Sequence, residues 1–155
     1  MKRTWPLVVA IGVIAAPSIA TARLVALEAE LAAYGGESAY VAIYVTDAKG
    51  IYQGTLWLAA PNAKYWRHLR DWYRATGGRA KVDGISGASV GWGRVLRASV
   101  EVADALIDAG FEIHVDTAVD YMHRNPSEVI VPLTAPGSGK RVAGTGYVKS
   151  FSYRL

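Results

Sequence analysis

The sequence predicts an antiparallel β-sandwich, and three observations support this fold class. Short segments of alternating or β-rich residues recur, with turn signals at intervals of about ten residues, as in all-β sandwiches. A single segment has the period of a helix. Strands and helices do not alternate along the chain, which a doubly wound fold would require. We therefore expect an all-β domain with one short helix.

The first three strands have the clearest patterns. Residues 24–31 place apolar side chains at every second position, with Glu28 and Glu30 on the other parity. Residues 39–46 are rich in β-branched and aromatic side chains, which is typical of a buried strand. The turn at Asp47-Ala48-Lys49-Gly50 then leads into a return strand over residues 52–58.

The pattern changes to that of a helix over residues 63–74. Asn62 is the expected N-cap, and Gly77-Gly78 is expected to end the helix. One face of this helix, expected to anchor it to the sandwich, carries Tyr65, Leu69 and Trp72.

Four more strands are expected in the second half of the chain, over residues 94–102, 111–119, 129–133 and 147–153. Residues 104–110 read as a loop or a single helical turn.

The N-terminus has the layout of a cleavable secretory signal. Lys2 and Arg3 precede an apolar run over residues 7–16, and Ala20-Thr21-Ala22 forms an A-x-A cleavage site. The apolar run is shorter than the roughly 20 residues that a membrane-spanning helix needs. We therefore predict a signal peptide over residues 1–22, followed by a single periplasmic domain over residues 23–155 that does not span the membrane.

Composition argues against several classes of function. The chain has no cysteine, so neither disulfides nor thiolate metal sites are available. The signal contributes two of the four net positive charges, which leaves too little charge to indicate nucleic-acid binding. No metal site is expected, because His68, His114 and His123 are isolated from one another in sequence. The absence of a G-x-S-x-G elbow argues against a serine hydrolase centred on Ser89.

Other charged residues are best explained by solvation. Glu112, Asp116 and Asp120 share one parity of a predicted strand and are expected to face solvent. A group of basic residues near residue 90 reads as a solvated face, or alternatively as a patch that compensates a phosphate; it comprises Arg79, Lys81, Arg94 and Arg97.

The most informative segment is residues 83–89, which read Asp-Gly-Ile-Ser-Gly-Ala-Ser. A small-residue turn presents a hydroxyl, and glycine lets the backbone approach a bulky group without a side-chain clash. Asp83 can accept hydrogen bonds from turn amides and hold the loop in shape. The same seven residues also fit an ordinary glycine-containing turn between two strands.

This segment resembles the acceptor sequence of proteins modified by the flavin transferase that joins FMN, through its phosphate, to a Ser or Thr hydroxyl. The resemblance implies that Ser89 is the attachment point and that the transferase reads Asp83, Ser86, Gly87 and Ala88. The acceptor in such motifs is most often Thr. Ser89 offers the same nucleophile without the methyl group.

Several segments together resemble the family catalogued as domain of unknown function 2271, which comprises predicted periplasmic proteins. The matching segments are residues 40–45, 47–50, 55–57, 64–72, 83–89 and 146–151. The resemblance implies an immunoglobulin-like sandwich with covalent FMN. It also implies association with the flavin transferase and with membrane-embedded reductases.

Two functional hypotheses follow. The first is an exported electron-transfer protein, a redox carrier or subunit rather than a stand-alone enzyme, with FMN on Ser89. Its partners would be the flavin transferase and a membrane-bound reductase or another periplasmic redox protein. Trp66, Tyr73 and Trp92 are candidates to stack on the flavin ring. The second hypothesis is a cofactor-free, immunoglobulin-like module that binds a partner protein through its edge strands or its aromatic helix.

Overall fold

The computed structural model describes residues 21–155, so all but the last two residues of the predicted signal peptide lie outside the described part. Within that part the chain forms eight strands: β1 (Ala22–Leu31), β2 (Tyr40–Thr46), β3 (Tyr52–Ala59), β4 (Ser86–Gly87), β5 (Val95–Ala103), β6 (Glu112–Ala118), β7 (Arg124–Pro132) and β8 (Val148–Arg154). The helical segments are a 3-10 helix (Ala63–His68), the helix α1 (Arg70–Thr76) and a 3-10 turn (Asp104–Leu106).

The strands form two packed sheets, which confirms the prediction of an all-β sandwich with one short helix. One sheet has three strands in the order β5-β1-β8, and the other has five in the order β4-β3-β2-β6-β7. All strand pairs are antiparallel except the short pairing of β4 with β3, which is parallel. The strand β4 is the one that the sequence pattern did not predict.

The main core lies between the two sheets and follows the predicted alternation. In β1 the side chains of Val25, Leu27, Ala29 and Leu31 are buried, whereas Ala26 is exposed. The strand β2 is buried on both faces, because the helical segment covers the outer face of the five-stranded sheet. A strand with two buried faces needs a continuous apolar run, and this explains the composition of residues 40–46.

The predicted helix is present but divided in two. Asn62 caps the first part, since its side chain accepts a hydrogen bond from the Lys64 amide. Leu69 then leaves helical geometry, with φ −85° and ψ 80°, and α1 starts after it. Gly77 ends α1 in the left-handed conformation (φ 60°), which glycine adopts readily. Within this segment the side chains of Leu69 and Trp72 are fully buried and pack against the sheet.

Asp116 corrects one expectation from the sequence, because its carboxylate is fully buried rather than solvated. It lies on the inner strand β6 beneath α1, where it accepts hydrogen bonds from the amides of Trp72 and Ser127 (both 2.8 Å) and from the Tyr44 hydroxyl (2.9 Å). Burial raises the pKa of this carboxyl, although the three hydrogen bonds act in the opposite direction. Asp116 therefore attaches α1 to the sheet.

A second buried carboxylate joins the two sheets. Glu128 on β7 is 5% exposed and accepts hydrogen bonds from the amides of Gly146, Tyr147 and Val148, at 3.0, 3.1 and 2.9 Å. Those amides lead into β8, which belongs to the other sheet. A side chain at Gly144 would collide with Glu128, so the close approach of the chain requires glycine there.

We predict that Glu128→Ala destabilises the protein severely. The change leaves three backbone amides without their acceptor; those of Tyr147 and Val148 are buried, and each such buried donor costs about 1–3 kcal/mol. The free energy of unfolding, measured by urea denaturation, should fall by about 3 kcal/mol or more. Glu101→Ala on β5 is the matched control, because Glu101 is exposed; its effect should stay within about 0.5 kcal/mol. Equal effects of the two changes would contradict a tie between the sheets.

Candidate modification site

The acceptor-like segment lies at the edge of the five-stranded sheet. Asp83 and Gly84 form a turn, and Gly84 has a φ of 78°, which favours glycine. The next residues pair with β3, where Leu58 is opposite Ser86 and Ala59 is opposite Gly87. The Leu58 amide also donates to the Ile85 carbonyl at 2.9 Å. The segment is thus held in a fixed position along the edge.

Ser89 follows this pairing and lies between two anchored points. On its other side, Val90 exchanges both backbone hydrogen bonds with Ala39, at 2.7 and 2.8 Å. Exposure alternates along the segment: Ser86 and Ala88 are exposed, whereas Gly87 and Ser89 are partly buried. Ser89 therefore shares the parity of the inner face of the sheet but stays partly open to solvent at its edge.

Gly87 lies against an aromatic side chain of the core. A Cβ atom at this position would lie 3.1 Å from Cζ2 of Trp57, which is closer than ordinary van der Waals contact. Trp57 packs against the core between the sheets, and its Nε1 is buried without a hydrogen-bond partner among residues 21–155. The small residue in the motif thus has a structural reason that the sequence did not reveal.

A groove of about 540 Å³ begins two residues after Ser89. One wall is the turn over residues 91–94, in which Gly93 has a φ of 71°. Its other wall is the loop between β1 and β2, and the full lining is Gly36, Glu37, Ser38, Gly91, Trp92, Gly93 and Arg94. Trp92 is 51% exposed, so a flat aromatic face beside the candidate acceptor is open to solvent.

Among the other aromatic candidates, Trp66 lies in the helical layer. Its Nε1 donates to the Ala60 carbonyl at 2.9 Å, and its ring packs edge-on against Trp72 at 5.4 Å. Trp66 thus helps attach the helical segment to the outer face of the sheet.

Tyr73 also lies outside the groove. It lies on α1, which contacts β6 and β7, whereas β4 is at the opposite edge of the sheet. Of the three aromatic candidates, Trp92 is the one that the structure places beside the groove next to Ser89.

The basic residues around the motif differ in their contacts. Arg79, Lys81 and Arg94 are exposed, and Arg94 lines the groove. Arg97 forms an ion pair with Glu28 on the neighbouring strand β1, with Nε and Oε2 3.2 Å apart. A phosphate at Ser89 would therefore find Arg94 closest along the chain.

The family model for a predicted periplasmic protein (domain of unknown function 2271) matches residues 22–150. The chain belongs to this family. No curated protein and no solved structure matches it. The prediction of a periplasmic location is confirmed.

Two further observations bear on this periplasmic protein. Within residues 21–155 no helix combines the length and apolar character needed to cross a bilayer. The groove wall formed by Gly36, Glu37 and Ser38 was not predicted, because it meets the motif only through the long-range pairing of Ala39 with Val90. The only local signal for it was the glycine pair at residues 35–36.

We predict that Gly87→Val disturbs the edge of the sheet. The branched side chain would push against Trp57, and such overpacking costs about 1–3 kcal/mol. The amide of Leu58, which donates to Ile85, should lose protection in hydrogen exchange. The matched control is Ala88→Val at the adjacent exposed position, which should leave that amide protected. Unchanged exchange in the Gly87 variant would be evidence against tight packing of the motif on Trp57.

Proposed function

We propose that this periplasmic protein is an electron carrier with FMN esterified through its phosphate to Ser89. The observation that supports the proposal is the position of Ser89: it is only partly buried, it ends an acceptor-like motif at the sheet edge, and a wide groove begins two residues further along the chain. A periplasmic location supports it, because a tethered cofactor cannot be lost by diffusion after export.

The attachment step is a phosphoryl transfer that requires FAD and a separate transferase. The Ser89 oxygen attacks the phosphorus on the FMN side of the FAD pyrophosphate and forms a P–O bond. The pyrophosphate P–O bond breaks, AMP leaves, and a base of the transferase takes the hydroxyl proton. The exposed side chains of Asp83, Ser86 and Ala88 are available for the transferase to read, and Gly87 lets the backbone pack closely against Trp57.

The groove is the place that we assign to the flavin ring. Its volume of about 540 Å³ is within the range of ordinary ligand sites, about 300–1,000 Å³. Trp92 offers a stacking face, which contributes about 0.5–1.5 kcal/mol beyond the burial of area. The guanidinium of Arg94 offers a positive charge near the phosphodiester. When bound, FMN supplies the redox chemistry, and the protein supplies position and electrostatics.

Partner proteins would meet this end of the sandwich. Exposed apolar side chains cluster here, because Met122 and the fully exposed Tyr121 follow β6, and Gly36 of the groove lies against the sulfur of Met122. A membrane-bound reductase or another periplasmic redox protein could approach the groove over this surface. The same surface favours the alternative function, a cofactor-free module that binds a partner protein.

We expect Ser89→Ala to abolish flavin attachment. The protein, co-expressed with a flavin transferase, should gain the mass of one FMN less water and show flavin fluorescence after denaturing electrophoresis. Ser89→Thr should retain the adduct, because threonine keeps the hydroxyl. Ser99→Ala on β5 is the control and should be modified like the wild type. An unmodified wild-type mass would favour the cofactor-free module, and an adduct persisting in Ser89→Ala would place the acceptor elsewhere.

We further expect Trp92→Ala to change the environment of the attached flavin. An indole stacked on the ring quenches its fluorescence, so emission per flavin should rise several-fold in this variant. Tyr73→Ala is the control, because Tyr73 lies over the other side of the sheet. The readout is fluorescence of the purified adduct, normalised to flavin absorbance. Equal emission from wild type and Trp92→Ala would mean that the ring does not occupy the groove.

A further inference from the structure

A second polar pocket lies far from Ser89, between α1 and the strands β2, β6 and β7. It has a volume of about 290 Å³ and is lined by Tyr44, Thr46, Gly50, Asp71, Arg74, Ala75, His114 and Ser127. Because β7 is the sheet edge opposite β4, this pocket is separate from the candidate modification site. Nothing in the proposed electron-carrier function uses it.

The pocket presents one serine in an unusual backbone conformation. Ser127 has a φ of 44°, a left-handed value that is uncommon for a residue with a side chain. It lies where the pairing of β6 with β7 shifts register, between Val115 and Thr117. Asp116 fixes this conformation by accepting a hydrogen bond from the Ser127 amide at 2.8 Å. Strained positions of this kind are concentrated at functional sites.

The ring of His114 lies within hydrogen-bond distance of Ser127, although the two residues belong to different strands, β6 and β7. His114 Nδ1 is 3.1 Å from the Ser127 hydroxyl oxygen. Its other ring nitrogen, Nε2, is 3.3 Å from Glu112 Oε2 and 3.0 Å from the Thr46 hydroxyl. The ring also stacks on Tyr44, with centroids 5.4 Å apart. Ser127, His114 and Glu112 thus form a row of nucleophile, base and orienting carboxylate, which is the arrangement that activates a serine hydroxyl.

Other polar groups surround the hydroxyl. The Ser127 hydroxyl has one proton and donates it to Asp71 Oδ2 at 2.7 Å, so Asp71 competes with His114 for this proton. The Tyr44 hydroxyl is 3.2 Å away, and burial together with the nearby Asp116 carboxyl raises the pKa of Tyr44, which keeps it protonated. Arg74 also lines the pocket and forms an ion pair with Asp71, with Nη1 and Oδ1 3.5 Å apart; its positive charge can stabilise negative charge that develops on a substrate oxygen.

We propose that Ser127 is an activated nucleophile that cleaves small acyl esters, with His114 as its base and Glu112 as a positioning residue. The Ser127 hydroxyl turns from Asp71 to His114 Nδ1, its oxygen forms a bond to the acyl carbon, and its proton passes to that nitrogen. The bond from the acyl carbon to the leaving alcohol breaks, and the alcohol takes that proton. Water then attacks the acyl carbon and gives a proton to His114, the bond from the acyl carbon to the Ser127 oxygen breaks, and the Ser127 oxygen takes that proton as the carboxylic acid leaves. The pocket volume of about 290 Å³ lies just below the usual range of ligand pockets, about 300–1,000 Å³, which favours an acyl group with a short chain.

The test is covalent labelling of the folded protein with a short-chain fluorophosphonate. The Ser127 oxygen displaces fluoride and forms a stable phosphonate ester, which peptide mass mapping locates. We expect one label at Ser127 in the wild type and no label at this position in Ser127→Ala. His114→Gln should lower the labelling rate at least tenfold, because a general base contributes about 10²–10⁴-fold. Ser89→Ala should be labelled like the wild type, so this result is independent of flavin attachment.

Further variants separate catalysis from folding. Glu112→Gln should lower the labelling rate, and Glu112→Asp should restore part of it, which a merely space-filling role would not predict. Circular dichroism establishes that each variant is folded, and the urea-unfolded wild type should not label. Absence of a label on the native wild type overturns the proposal. A label on another residue, or a rate unaffected by His114→Gln in a folded variant, overturns it equally.

Discussion

The buried carboxylate of Glu128 is the interaction on which the architecture depends. It reaches from the five-stranded sheet to the amides at the start of β8 in the other sheet. From Tyr147 the connection continues through backbone hydrogen bonds: the Ala32 amide donates to the Tyr147 carbonyl, and the Gly93 amide donates to the Ala32 carbonyl. One carboxylate thus supports the turn that carries Trp92. The rigidity of the groove beside Ser89 therefore depends on these hydrogen bonds.

The two buried carboxylates occupy neighbouring strands and serve opposite faces of one sheet. Glu128 faces the space between the sheets, whereas Asp116 faces the helical layer. Each accepts backbone amides that no strand partner satisfies, which offsets much of the cost of burying a charge. In a protein without cysteine, such polar ties provide connections between layers that disulfides provide in many other exported domains.

The local residue pattern was sufficient to predict some strands and helices and insufficient to predict others. The alternation in β1 and the apolar run in β2 predicted both strands, because each reflects which faces are covered. The helix was predicted as one piece, since the departure of Leu69 from helical geometry leaves no mark on the residue pattern. The strand β4 has two residues and no periodicity. It forms only because β3 offers an unpaired edge.

The candidate sites likewise differ in how far the local sequence could predict them. Ser89 and its neighbours were found because the motif is contiguous in sequence and the resemblance rests on local residues. The burial of Asp116 could not be read from parity, because parity does not say that α1 covers that face of the sheet. The approach of His114 to Ser127 is also invisible in sequence, since it depends on strand pairing and on a bulge. Residues that meet only through tertiary structure need the fold before they can be recognised.

The shortness of β4 has a consequence for self-association. Without it, β3 would expose a row of unpaired backbone donors and acceptors, a surface on which another chain can add a strand. The two residues of β4 cover one end of that row, at Leu58 and Ala59, and are themselves too short to act as a template. The acceptor-like segment therefore also covers part of the edge of the sheet. Changes in this segment therefore alter how much of the β3 edge is open to another chain, as well as the acceptor-like motif itself.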